Sequence, residues 1–334
     1  MQINGVGDLA KAYSLQNRNT ALKNDLQSLT LELTTGQVAD IRGAVTGKTA
    51  YINDISRSLK TLDAYEFANR EAGEFAGTVQ RALDRVSTIS TDFTATLMTG
   101  TNAGFSNAAG RIAPEAATAL QSIVGALNSN IAGRAVFSGT GVDQLPLVDA
   151  DTISDAVRTV VAGAGTVDDM IAAAEAWFDD PAGFATVAYR GTDSNLAPVA
   201  VSETVSAQFN IRADDPALRD TLRVIALAAL ADDPTLGLTD AQQAELYQKS
   251  LEPLLAAQGG VIDLQATTGF TEGQIEAERV RNGTERTSLE MARATILSKD
   301  PYDTATELEQ VQFQLQSLYT MTSRMSALSL VNFL

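Results

Sequence analysis

Residues 308–334 read LEQVQFQLQSLYTMTSRMSALSLVNFL. Within them Leu308, Val311, Leu315, Leu318 and Met325 follow a three–four alternation, with Thr322 in step. Seven-residue spacing of this kind keeps a narrow apolar stripe on one side of a helix, as a coiled coil requires. The same alternation opens the chain. In AYSLQNRNTALKNDLQSLTLELTTG, residues 12–36, Ala12, Leu15, Leu22, Leu26, Leu29 and Leu33 share a stripe interrupted only by Asn19. Either seam alone is a modest signal. As a matched pair at opposite termini, they predict ends that fold against each other or against other subunits.

The composition around the second seam favours subunits. From Gln312 to Leu334 the only charged residue is Arg324, and Gln, Ser and Thr fill the positions between the apolar ones. A solvent-facing helix normally carries charge on its outer side. Neutral polar groups can instead hydrogen-bond to neighbours without stranding charges in an interface. Leu328, Leu330, Phe333 and Leu334 are apolar at a terminus, an aggregation hazard unless something covers them. The expected interface therefore comprises Leu15, Leu22, Leu26, Leu29 and Leu33 with Leu308, Val311, Leu315, Leu318, Met325, Leu328, Leu330, Phe333 and Leu334.

The 334 residues, 45% of them hydrophobic, suffice for a large core and for two or three domains. Basic residues number 24 and acidic residues 41, a formal charge of -17. That field repels a phosphate backbone or an anionic membrane. Arg279, Arg281 and Arg286 lie among Glu276, Glu278, Glu285 and Glu290, so no basic patch offsets it, and no nucleic-acid partner is expected. Cysteine and histidine are absent, which excludes disulfides, thiolate zinc sites, Cys nucleophiles and His-based triads. No apolar run reaches the length of a membrane span. The opening MQINGVGDLAKAYS lacks a basic start before an apolar run, so no secretory signal peptide is predicted. Alone, that would place the protein in the cytosol.

Along the chain, a first helix is predicted from about Asp8 to Thr35, stopped by Gly36. A longer helix follows from about Thr46 to Thr99, with Ile52, Ile55, Leu59, Leu62, Phe75, Val79, Leu83, Val86, Ile89, Phe93 and Leu97 on its apolar face. At about 1.5 Å per residue it forms a rod of roughly 80 Å. A third helix carries Leu120, Ile123, Val124, Leu127 and Ile131. Gly133–Val148 reads as a hairpin, and Thr186–Arg190 and Thr204–Ile211 read as strand-like segments. Helices resume at Pro216, then from Thr239 to about Thr268 and from about Phe270 to Lys299, before Lys299-Asp300-Pro301 breaks the chain. The expected fold is mainly α: an elongated rod of long helices from both halves, terminal coiled-coil helices and a small central α/β or β insert. Its divisions are 1–40 with 302–334 for assembly, 41–150 with 216–301 for the rod, and 151–215 for an inserted outer domain.

No catalytic, cofactor or metal site emerges. Asp-Asp-Pro recurs at Asp179–Pro181, Asp214–Pro216 and Asp232–Pro234, where Asp is expected to cap a helix opened by Pro. Asp149 and Asp151 lack the Glu of a calcium loop. Gly43-Ala-Val-Thr-Gly47-Lys48-Thr49 has three residues between its glycines where a phosphate-binding loop needs four. The insert's Asp168, Asp169, Glu175, Asp179 and Asp180 are its only candidate carboxylates for acid–base or glycan chemistry, and nothing else converges on them.

Three segments together resemble the flagellin superfamily, and within it the flagellar hook-associated protein 3 family of hook–filament junction proteins. Leu31-Glu-Leu-Thr-Thr-Gly36 resembles the end of that family's first helix. Gly133-Arg134-Ala-Val-Phe137-Ser138-Gly139-Thr140 is similar to its Gly-Arg-aromatic-Leu-Phe-Ser-Gly-Thr segment, with the smaller Ala135 and Val136 as departures. Ser323 to Leu334 looks like the family's terminal pattern, which flagellins share. The resemblance spans about 1–145 and 216–334. It implies a non-enzymatic structural subunit, exported through the flagellar type III apparatus without a cleaved signal and located outside the cell. It also implies terminal helices that pair on assembly, with copies of the chain in a helical ring, a hook-side junction protein, flagellin and an export chaperone as partners.

Overall fold

The computed structural model describes residues 4–40, 49–103 and 109–331, with side chains for 10–40, 49–100 and 110–324. The helices are α1 Asn4–Thr35, α2 Thr49–Ala103, α3 Ala109–Leu127, α4 Ala150–Val161, α5 Val167–Asp179, α6 Phe184–Val187, α7 Pro216–Ala229, α8 Asp240–Leu297 and α9 Pro301–Val331. Two antiparallel pairs of two-residue strands complete the described chain: β1 Asn130–Ile131 with β2 Arg134–Ala135, and β3 Val199–Ala200 with β4 Ser206–Ala207. The fold is mainly α. No described helix is long and apolar enough to cross a membrane.

Local chemistry sets the helix ends. Gly36 stops α1 with φ +67° while its N–H donates to the Glu32 carbonyl at 2.8 Å. Asp149 starts α4 by accepting from the Thr152 N–H, and Thr166 and Asp169 form a reciprocal box at the start of α5. Thr239 and Gln242 exchange the same two bonds before α8. Asp300 accepts from the Tyr302 N–H at 2.8 Å before Pro301 opens α9. Of the three Asp-Asp-Pro sites, only Asp215-Pro216 opens a helix, with the Ala217 N–H on the carboxylate at 3.1 Å. Asp180 and Asp233 instead accept from the N–H groups of Ala182 and Thr235, two residues on, and close turns.

The described chain divides into two compact units, 1–63 with 283–334 and 64–282. In the first, α1 and α9 pack together. Beside them Gln37 and Ser298 form an antiparallel bridge, flanked by Val38 N–H to Leu297 O at 2.9 Å and Lys299 N–H to Gly36 O at 3.0 Å. Ile52 and Leu297 make a small buried cluster with Ile296.

The second unit has one continuous core. Phe75, Val79, Leu83, Val86, Phe93 and Leu97 of α2 join Leu120, Ile123 and Leu127 of α3, as the spacing predicted, together with Ile112 of α3 and Leu222 and Ile225 of α7. The insert enters the same cluster through Ile153, Val157, Val161, Phe178 and Phe184. It is also held by hydrogen bonds: Asn69 of α2 and Asn282 of α8 both donate to the Val201 carbonyl, at 3.0 and 2.8 Å.

Four expectations require correction. Ile131, expected on the third helix, lies in β1, because α3 ends at Leu127 and the chain turns into the β1–β2 hairpin. The segments predicted as Thr239–Thr268 and Phe270–Lys299 are one helix of 58 residues. Gly269 does not stop it, because the glycine faces α2: a Cβ there would lie 3.2 Å from Gln80 Nε2, which donates to the Gln265 carbonyl at 2.7 Å. Thr186–Arg190 is strand-like only at its end, where Tyr189 bridges Leu147 antiparallel; α6 covers its start, because the buried Phe184 anchors a single helical turn after Gly183. The hairpin lies at 130–135 and not across Gly133–Val148, since the turn forms at Ala132-Gly133, both with positive φ. Gly43–Lys48 lies outside the described residues.

Candidate assembly interface

α1 and α9 run antiparallel. Leu22 meets Leu315 and Leu318 in a small buried cluster, with Leu15, Leu26 and Val311 packed against it half-buried. Leu29 is also buried, and Leu308 is half-buried. Leu33 is exposed. At that level Glu32 takes the inward position: it is buried, accepts from the Ala39 N–H at 2.9 Å, and lies 3.7 Å from Lys299 Nζ. Lys299 also reaches Glu307 at 3.6 Å. Heptad spacing gives no sign of Glu32, because the groups it satisfies belong to the chain reversal after Gly36. Met325, Leu328 and Leu330 lie on α9 with side chains outside the described residues, as are Phe333 and Leu334 altogether.

The contact between the two helices is thin relative to the apolar surface they carry. Tyr13, Leu31 and Leu33 of α1 remain exposed, as do Tyr302 (79%), Phe313 (70%), Tyr319 and Met321 of α9. On the outer side of α9, Gln312, Gln314, Gln316 and Ser317 are exposed and uncharged. Exposed large apolar side chains bordered by neutral polar groups are the chemistry of a protein–protein contact.

The 133–140 segment lies in the second unit and is mostly internal. Val136, Phe137 and Ser138 are buried. The Phe137 carbonyl accepts from the Ala213 N–H at 3.0 Å, and the Ser138 hydroxyl donates to the Gln144 carbonyl at 2.7 Å. Gly139 adopts φ +62°, and a Cβ there would lie 2.4 Å from the Ser194 carbonyl oxygen. The Thr140 N–H donates to Thr192 Oγ1 at 2.9 Å. Gly133 is in the β1–β2 turn, and Arg134 pairs with Glu71 at 2.6 Å on the surface. The segment thus ties the chain after α3 to residues 192–213 of the insert.

The insert's carboxylates do not converge. Asp168 pairs with Lys249 at 2.6 Å, Asp169 belongs to the Thr166 box, Asp179 lies 3.4 Å from Arg219, and Asp180 closes its turn. Among the described residues no group of three acidic side chains is placed to hold a metal ion. The titrations that depart from ordinary values are likewise explained structurally. Asp233 is held low by the Thr235 hydroxyl, and then by Arg158, while burial pushes Asp215 up. Burial also raises the Tyr189 and Tyr247 phenols. Arg279, Arg281 and Arg286 each pair with a glutamate on their own helix, at 2.8, 2.9 and 3.0 Å.

No family model matches the chain. No curated protein matches it either. A solved structure described as "putative flagellar hook-associated protein from Vibrio parahaemolyticus" is similar to it at a TM-score of 0.53 and 14% identity, covering 75% of this chain and 99% of that one. The likeness is one of fold.

Proposed function

We propose that this chain is a non-enzymatic structural subunit of the bacterial flagellum, located at the hook–filament junction and assembling with copies of itself through α1 and α9. The observation that carries the proposal is the incomplete burial of the terminal helices. Leu22, Leu29, Leu315 and Leu318 are buried, whereas seven large apolar side chains on the same two helices stay exposed. Further copies of the chain would cover that surface.

The shared fold of a flagellar hook-associated protein supports the flagellar assignment. The resemblance of 133–140 supports the junction over the filament, whereas the terminal pattern is common to both. On this reading the protein is exported unfolded without a cleaved signal, assisted by an export chaperone, and works outside the cell. It contacts a hook-side junction protein on one side and flagellin on the other. Residues 1–40 with 302–334 assemble, the long helices form the next layer, and 151–215 faces outward.

Gold labelling of the protein on intact flagella tests the proposal. A band confined to the hook–filament boundary is expected. Label along the whole filament would make the chain a flagellin instead, and label absent from flagella would remove both readings.

A further inference from the structure

Asn19 is the one polar residue on the α1 stripe between Leu15 and Leu29, and its chemistry is incomplete. Its Oδ1 is sealed from solvent in the α1/α9 pair and accepts no hydrogen bond. Its neighbours on the stripe, Leu15 and Leu22, pack with Leu315 and Leu318. A single asparagine in an apolar seam sets register and partner at a cost in stability, and the benefit depends on the amide finding a partner. Here no described side chain of the chain's own α9 supplies one. Thr322, in step on the opposite stripe, commits its hydroxyl to the Leu318 carbonyl at 2.7 Å. A buried acceptor left without a donor weakens the closed pair by about tenfold or more.

Asn19 as a whole is only half-buried, which places it at the rim of the seam. The donors able to meet it there are the uncharged ones of α9: Gln312, Gln314 and Gln316 are exposed, and each amide offers two N–H groups. For a chain of charge -17, copies repel wherever their contacts carry carboxylates. Residues 312–323 of α9 carry no charge at all, which makes this face the one suited to meet a second copy.

We propose that Asn19 is the register key of assembly: its amide, without a donor in the single chain, receives one from a glutamine on α9 of a second copy. This rests on the reading of the chain as an assembling subunit. Full-length wild type, Asn19→Leu and Asn19→Gln are compared by hydrogen exchange as dilute monomers and by electron microscopy after polymerisation. Leucine is expected to slow exchange of α1 amides near residues 15–22 in the monomer by about tenfold or more, because the orphan acceptor is gone. In the same variant, ordered polymer should fall by at least about tenfold or lose its single repeat, and glutamine should restore it. Wild-type yield and repeat in Asn19→Leu, or unchanged monomer exchange, would overturn the assignment. If wild type forms no polymer of its own chain, the subunit reading fails, and this proposal with it.

Discussion

Gly139 is where the 133–140 segment is most exacting. Its φ of +62° already disfavours any other residue, and a Cβ would strike two backbone carbonyls, Ser194 O at 2.4 Å and Thr192 O at 2.8 Å. Neither oxygen can swing aside as a side-chain end would. Gly139→Ala is therefore expected to destabilise the second unit by about 2–4 kcal/mol, read from urea unfolding. A loss below about 1 kcal/mol would mean the contact with 192–194 is not held in solution.

Two aspartates should respond to pH in opposite directions. Asp233 is held below the ordinary carboxylate value, so its contribution is present at neutral pH and is lost as pH falls through its lowered folded value. Asp215 is raised by burial, so it opposes folding at neutral pH and ceases to do so as it takes up its proton. Asp233→Asn should lower the melting temperature at pH 7, with the difference vanishing in acid. Asp215→Asn keeps a cap acceptor for the Ala217 N–H and should raise the melting temperature at pH 7 by an amount that also vanishes in acid. Melting curves between pH 7 and pH 3 distinguish the two, and equal signs for both variants would contradict the assignment.

At the level of elements, α8 meets α7 closely at one point. A Cβ on Gly260 would lie 2.6 Å from Ala217 Cβ, whereas Gly259 faces open space. Gly259→Ala should stabilise the protein by about 0.5–1 kcal/mol through helix propensity alone. Gly260→Ala should cost about 1–3 kcal/mol by overpacking. Thermal unfolding of the pair, differing by one residue on one helix, checks the crossing; a stabilising Gly260→Ala would place α7 elsewhere.

The same glycines show what the sequence could disclose. Stripes such as Phe75–Val79–Leu83–Val86 in α2 and Leu120–Ile123–Leu127 in α3 were legible because one helix face alone dictates them. The continuity of α8 through Gly269 is not legible, because what the glycine makes room for, Gln80, lies on another helix. The strand-like expectation at Thr186–Arg190 holds only at the Tyr189 bridge to Leu147, because Phe184 anchors a helical turn over its start through a distant core. In the candidate interface the leucine seam was readable, whereas Glu32 and the orphan amide of Asn19 depend on what stands opposite them.

For the whole molecule, the division of the chain into 1–63 with 283–334 and 64–282 matters most. The second unit has one large core, while the α1/α9 contact has a cluster of three buried leucines. Each such leucine contributes about 1.5–3 kcal/mol, little for two helices of 32 and 31 residues. Removing residues 301–334 should leave the main melting transition of the second unit within a few degrees of wild type while abolishing polymer formation. Loss of that transition would show that α9 is needed for folding and not for assembly alone.

The most direct test is hydrogen exchange on α1 and α9 in dilute monomer and in polymer. Amides of both helices should exchange far faster than those around Leu83 and Ile123 in the monomer, then slow markedly once copies associate. Terminal helices protected as strongly as that core in the monomer, with no change on association, would contradict assembly through these ends.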